Sequence, residues 1–294
     1  MKRILRYVTW AIGILLIGLY VVLPFVMAIA VIMPNNNQPG LAPSENFATV
    51  TLTTEDGVQL GAWYAMPQNG MVIILVHGAG DGRNSMSQYA TLLQENGFGV
   101  LALNLRGYGD SEGRINRLGW QGTRDIGAAV SFLMAQDDIQ AIGALGTSLG
   151  GEVLLGAAET YPQIRAIVAD GATFRSGNEY VALDKNHSII RNYSVYLHTY
   201  FVQLLTGTSQ PAPLIDSIAA AAEAQFLFIA AGNVGQEIDF NTAFMDVVDT
   251  QGDLWIAESV DHVGAFARYP EEYGRRVMDF FLEALDGLGE SAQE

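Results

Sequence analysis

Residues 142–151 read IGALGTSLGG, an apolar run that ends in a serine with a glycine two places away on either side. The run before the serine has the length and character of a strand. The stretch after it, LGGEVLLGAAETYP (149–162), has helical spacing and is closed by a proline. A strand that turns into a helix this abruptly needs small residues at the corner, which Gly146 and Gly150 provide. Such a corner forces Ser148 into a strained backbone conformation. Its hydroxyl then projects at the strand's C-terminal edge, beside a helix N-terminus whose free N–H groups favour developing negative charge. Small residues also suit any tight strand-to-helix connection, so the neighbouring stretches decide whether Ser148 is a nucleophile or a turn residue.

Working outward, strands and helices alternate. MVIILVHG (71–78) is a continuous apolar run, the mark of a strand covered on both faces. SMSQYATLLQENG (85–97) is helical, FGVLALNL (98–105) a strand, WQGTRDIGAAVSFLMAQ (120–136) a helix and IQAIGAL (139–145) the strand before the serine. IRAIVAD (164–170), AQFLFIAAG (224–232) and GDLWIAES (252–259) are further strands, and the amphipathic stretch from Tyr269, with Pro270 in its first turn, is a terminal helix. FATVTLTTEDGVQLGAWYAM (47–66) alternates about Asp56-Gly57 and predicts an antiparallel hairpin. The pattern predicts an α/β architecture: a mixed, mostly parallel sheet with helices on both faces. Residues 172–212 break the rhythm with an aromatic-rich helical insertion, read as a small cap.

The start of the chain differs. Tyr7 to Met33 carries no charge and exceeds the roughly 20 residues that a bilayer core requires. Lys2, Arg3 and Arg6 precede it, and no acidic residue occurs before Glu45. The positive-inside bias predicts a single-pass anchor in the cytoplasmic membrane, with the N-terminus in the cytoplasm and the rest outside. A small-x-small triplet at Ala28-Ile29-Ala30 offers a signal-peptidase site, but the apolar core is longer than the roughly 7–15 residues of a cleavable signal. Pro24 is expected to kink this helix. Residues 34–46, rich in Pro, Asn and Gly, read as a linker, 47–287 as the globular domain and 288–294 as a frayed tail.

Composition excludes several chemistries. The full chain carries a net charge of −16 and no cysteine. Disulfides, thiol catalysis and cysteine-ligated metals are excluded, and an acidic surface repels nucleic acid and anionic headgroups. The four histidines (77, 187, 198, 262) do not cluster at metal-ligand spacing, so no metal or cofactor is expected.

A nucleophilic serine needs a base, an orienting acid and an oxyanion hole. HGAGDGRN (77–84) comes directly after a strand at the same sheet edge, which makes the backbone N–H groups of Ala79 and Leu149 the expected oxyanion donors. His77 beside them is read as structural. His262, in the loop between the last strand and the last helix, is the expected base. His187 and His198 fall in the aromatic insertion and are read as surface or lid residues.

The order strand-HGAG, NLRGYGDSEG (104–113), GTSLGG (146–151), a late acid and DHVGAF (261–266) before a terminal helix resembles the α/β-hydrolase superfamily. Within it, the chain is similar to the serine aminopeptidase-like and monoacylglycerol-lipase-like esterases. The resemblance implies a Ser–acid–His order and a brace for Arg106, with Asn104 standing where relatives usually carry Asp. It places the acid three residues beyond the glycine that ends the seventh strand, a position held here by Gly235. A two-residue insertion brings Glu237 there, with Asp239 as runner-up and more naturally the cap of the next helix, and Asp246 third. The implied function is a membrane-anchored serine esterase. Peptide or amide hydrolysis is the alternative, and a non-catalytic binding protein on the same fold is the reading from another class. The expected partners are a small ester or short peptide and the lipid bilayer.

Overall fold

A computed structural model describes residues 2–33, 40–113, 117–185 and 188–286. The chain begins with α1 (Lys2–Ile17), a short π-helical turn (Gly18–Val22) and α2 (Leu23–Ile32), together one apolar helix long enough to cross a membrane. Pro24 does not break it. Proline lacks the N–H that would bind a carbonyl four residues back, and its ring crowds that carbonyl. The preceding turn widens instead, with Leu23 N–H donating to Gly18 O five residues back.

The hairpin β1 (Ala48–Thr53) and β2 (Gln59–Ala65) opens the domain. Then come β3 (Met71–Val76), α3 (Ser87–Glu95), β4 (Gly99–Leu103), α4 (Gly122–Met134), β5 (Ala141–Thr147), α5 (Leu149–Leu155) and β6 (Ile164–Asp170). The insertion folds as α6 (Gly177–Leu183) and α7 (Ile189–Thr206). After it run α8 (Leu214–Ala220), β7 (Gln225–Ala231), α9 (Gly235–Val248), β8 (Gly252–Ala257), α10 (Ala265–Arg268) and α11 (Pro270–Leu285). The strands form one eight-stranded sheet in the order β1-β2-β4-β3-β5-β6-β7-β8. The pairs β1–β2 and β2–β4 are antiparallel and the other five are parallel.

Each face of the sheet has its own core. One packs Leu101, Ile126, Leu133, Val153 and Phe244 beneath α4, α5, α8 and α9. The other packs Ile73, Leu93, Val168, Tyr273 and Phe281 beneath α3 and α11. Because β3, β5, β6, β7 and β8 are parallel, their C-terminal ends share one rim. The strand order reverses direction between β3 and β5, so the turns after these two diverge at that rim.

Arg106 ties three segments together behind this rim. Its backbone N–H and Nε donate to Asp125 at 2.9 and 2.7 Å, and its two terminal nitrogens grip Asp56 of the β1–β2 turn. Asp125 is fully buried, and burial raises its pKa to about 6 despite the guanidinium beside it. Arg106→Met removes the guanidinium that holds this pKa down, so it should cost more at pH 8, up to about 3–5 kcal/mol to the extent that Asp125 stays ionised without its counter-charge. The loss should shrink at pH 5, where that carboxyl takes up a proton. Thermal unfolding of the full chain in detergent at both pH values reads the difference. An equal loss at both would show that packing, not charge, supplies the brace.

Candidate active site

Ser148 lies at the corner between β5 and α5 with φ 50° and ψ −118°, a conformation that side chains other than glycine rarely adopt. The corner is held by the Ser148 N–H, which donates to Asp170 O at 2.7 Å. Both flanking glycines are required by packing. A Cβ on Gly146 would strike the Gly150 backbone, and one on Gly150 would strike the Val76 carbonyl. The crowded motif is thus a close approach of strand, helix and the neighbouring β3.

His262 arrives from the loop after β8. Its Nε2 lies 2.9 Å from Ser148 Oγ, and its Nδ1 lies 2.5 Å from Glu237 Oε1. Two residues of this loop also have positive φ, Ser259 at 54° and Val263 at 55°. For a β-branched residue such as Val263 this is a strained state, retained only because the surroundings enforce it. Asn233, just after β7, fastens the loop: its N–H donates to Val260 O and its amide to Asp261. Gly171 makes room for the ring, since a Cβ there would come within 3.2 Å of His262 Cε1.

Glu237 is 1 % exposed and sits in the first turn of α9. Its second oxygen accepts the Ala231 N–H at 2.9 Å, so the carboxylate is gripped from both sides. Asp239 occupies a different place. It is not the cap of a helix beginning near Phe240, because α9 begins at Gly235 and already contains it. The helix starts early because a carboxylate is favoured in its first turn and Glu237 fills that role. Asp239 points instead to Lys185 of the cap, 3.4 Å away. Asp246 lies further along the same helix.

The imidazole's pKa is raised above its ordinary value. The hydrogen bond to Glu237 is the main cause. Partial burial opposes it, and the charges of Glu237, Asp170 and Glu152 add to it. The last two were not anticipated from the sequence. Asp170 ends β6, is fully buried, accepts from Tyr273 Oη at 3.1 Å, and has its pKa raised to about 7 by burial. Glu152, one turn after the serine, accepts from the N–H and Oγ1 of Thr173 and is raised by burial as well. The only sequence signal for either was a charge in an apolar stretch.

Ala79 lies in the exposed turn after β3. Its neighbour Gly78 lies against the serine, where an added Cβ would be 3.4 Å from that of Ser148. Leu149 begins α5, and the first amides of a helix have no partner within it. Both N–H groups therefore come from segments flanking Ser148.

His77 is fully buried, with Nε2 accepting the Leu105 N–H at 3.1 Å and Nδ1 2.8 Å from Gly78 O. These bonds require neutral imidazole with the proton on Nδ1, and burial lowers the pKa to about 4. It fixes the loop and has no free nitrogen for proton transfer. Asn104 accepts the Arg83 N–H and donates to Asp110, bracing the same loop. His198 is on α7, and His187 lies outside the described residues. Among the described residues no group of three His, Asp or Glu is placed to hold a metal ion.

Comparison with known proteins bears on the fold. A family model described as alpha/beta hydrolase fold matches residues 71–204. An uncharacterized protein of Mycobacterium tuberculosis is 28% identical over 203 residues, covering 63% of this chain and 71% of its own. The Pyrococcus furiosus esterase Pf2001 superposes with a TM-score of 0.69 at 21% identity, over 87% of this chain and 98% of its own. A membrane phospholipase A, described as a bacterial virulence factor, superposes with a TM-score of 0.59 at 16% identity, over 98% of this chain and all of its own.

Proposed function

We propose that this chain, which has the α/β-hydrolase fold, is a membrane-anchored serine hydrolase that cleaves carboxylic esters through an acyl-enzyme on Ser148. The observation that carries the reading is the hydrogen-bonded line from Glu237 through His262 to Ser148, with bonds of 2.5 and 2.9 Å. In this mechanism His262 Nε2 takes the serine proton as Oγ attacks the ester carbonyl. Glu237 holds the proton on Nδ1 and stabilises the imidazolium that forms. The N–H groups of Ala79 and Leu149 receive the oxyanion. His262 then gives its proton to the leaving alcohol. Water, deprotonated by the same imidazole, attacks the acyl carbon, and the imidazolium returns that proton to Ser148 Oγ as the acid leaves.

In this reading the helix of residues 2–32 is the anchor; its length and apolar character and the basic residues at its N-terminal end support a domain held on the far side of the cytoplasmic membrane. The esterase and phospholipase likenesses extend to the fold and are in keeping with this chemistry.

A fluorophosphonate probe tests the reading: it should label the wild-type chain and leave Ser148→Ala unlabelled. Absence of wild-type labelling anywhere between about pH 6 and 9 would sink it. The pH profile carries a further expectation. The base must be neutral, and its pKa is raised, so hydrolysis should be lost as pH falls through a value above the ordinary imidazole value of about 6.5. Rate measurements on a short p-nitrophenyl ester across this range give the midpoint. A midpoint below that of free imidazole would contradict the assigned contact.

A further inference from the structure

Residues of α2 do more than leave the membrane: they dock on the cap. Pro24 and Ala28 are buried, and Ala28 packs in a small apolar cluster with Trp120 and Val202. Phe25 meets Phe201 of α7 edge to face at 5.2 Å, and His198 of α7 lies beside the Pro24 carbonyl. The side chains from Ile4 to Leu23 are, by contrast, largely exposed.

The depth of this contact is set by helix geometry. At about 1.5 Å per residue, a hydrocarbon core of about 30 Å takes about 20 residues. Counted from Tyr7, the first uncharged residue after Arg6, the core ends within the docked segment, close to Phe25. His198 and Phe201 lie level with Pro24 and Phe25, so this part of α7 sits at the hydrocarbon boundary.

The exposed face of α7 has the chemistry of that boundary. Ile189, Tyr193, Tyr196, Tyr200 and Leu204 recur at spacings of three and four, each between 47 % and 85 % exposed. Tyrosines collect where an apolar ring can enter lipid while the hydroxyl stays wet. The three tyrosines lie within about 10 Å, along the helix, of the residues that touch α2. α7 contains no acidic residue and one basic residue, Arg191, in a chain of net charge −16. Arg191 pairs with Asp184 at 2.5 Å.

We infer that α7 is an interfacial membrane element: its Tyr193–Tyr196–Tyr200–Leu204 face rests in the headgroup boundary of the bilayer that the N-terminal helix crosses. The inference rests on the anchor reading of that helix. The contact also fixes where the site stands. Leu118 packs on the Ala28–Trp120–Val202 cluster, and the next residue, Gly119, lies against the Leu149 side chain beside the nucleophile. The serine corner is one short loop from the membrane boundary.

The chain has no cysteine, so single labels can be placed freely. Tyr193→Cys, Tyr200→Cys and Leu204→Cys would carry a polarity-sensitive nitrobenzoxadiazole group in the full chain, reconstituted in phosphatidylcholine vesicles. Ile17→Cys, in the free part of the helix, reports the anchor, and Met134→Cys, at the end of α4, reports water. The α7 labels should shift to the blue and be quenched more by lipids carrying a nitroxide near the headgroup than by lipids carrying it deep in the chain. Ile17 should show the reverse ranking, and Met134 neither response. Ile17 quenched with the α7 labels in water would overturn this inference and leave the anchor standing. Loss of quenching at Ile17 would remove both. A blue shift at α7 without lipid quenching would reassign the face to a second copy of the chain, and quenching as deep as at Ile17 would make α7 a buried span.

Discussion

Ser148→Gly should abolish ester hydrolysis and at the same time raise the melting temperature. The two effects come from one atom set. Without Oγ no acyl-enzyme forms, and loss of a nucleophile of this type costs at least about a thousandfold in rate. The side chain is also what makes φ 50°, ψ −118° unfavourable. A strained residue of this kind stores about 1–3 kcal/mol, against which glycine's extra unfolded-state freedom costs up to about 1 kcal/mol. A net gain of about 1 kcal/mol corresponds to a rise of about 2–4 °C in a domain of this size. Ser148→Ala keeps the Cβ, so it should lose activity without the thermal gain. Scanning calorimetry beside a rate assay reads both quantities. A glycine variant that retains hydrolysis would remove Ser148 from the chemistry, and one that melts lower would show that the corner is not strained.

Glu237→Gln should lower the hydrolysis rate by about ten-thousandfold, the scale seen when an orienting carboxylate becomes an amide. The reason is local. Two donors converge on this carboxylate, the Ala231 N–H and His262 Nδ1–H, one on each oxygen. A glutamine has a single carbonyl oxygen. One donor must then face an NH2 group, with a buried bond lost at about 1–3 kcal/mol, or the imidazole must switch tautomer and present Nε2–H to the serine. Either outcome disables proton transfer, and the pH midpoint should fall because the anion that raises it is gone. Asp239→Asn should leave the rate within about twofold, since that carboxylate is partly exposed and faces Lys185. The reverse ranking in p-nitrophenyl ester hydrolysis would transfer the orienting role to Asp239.

How much the sequence reveals depends on the range of the forces involved. Alternating apolar strands and amphipathic helices are local patterns, and the eight-stranded mixed sheet and both helical layers were visible in them. Ser148 and His262 were legible because each stands beside a strand end, and a parallel sheet brings strand ends together; Glu237 was reached only through the family resemblance, ahead of Asp239, and its carboxylate lies against His262. Ala79 and Leu149 came from the same rim. The start of α9 was misread because Asp239 looked like a cap, whereas Glu237, two residues earlier, already occupied the first turn. The widened turn before Pro24 was not foreseen, since the sequence shows the missing donor and not how the chain absorbs its loss. The carboxyl groups of Asp170 and Glu152 were missed because their partners lie far away or on another element. Asp170 meets Tyr273 across 103 residues, and no periodicity records such a contact.

The carboxyl groups around the imidazole also bear on product release. Burial raises the pKa of both Asp170 and Glu152, so the negative charge near the site grows as pH rises. A neutral ester is indifferent to that charge, whereas the ionised acid freed from the acyl-enzyme is repelled by it. Inhibition by the released acid should therefore weaken as pH rises and, where both groups are ionised, strengthen as added salt screens the repulsion.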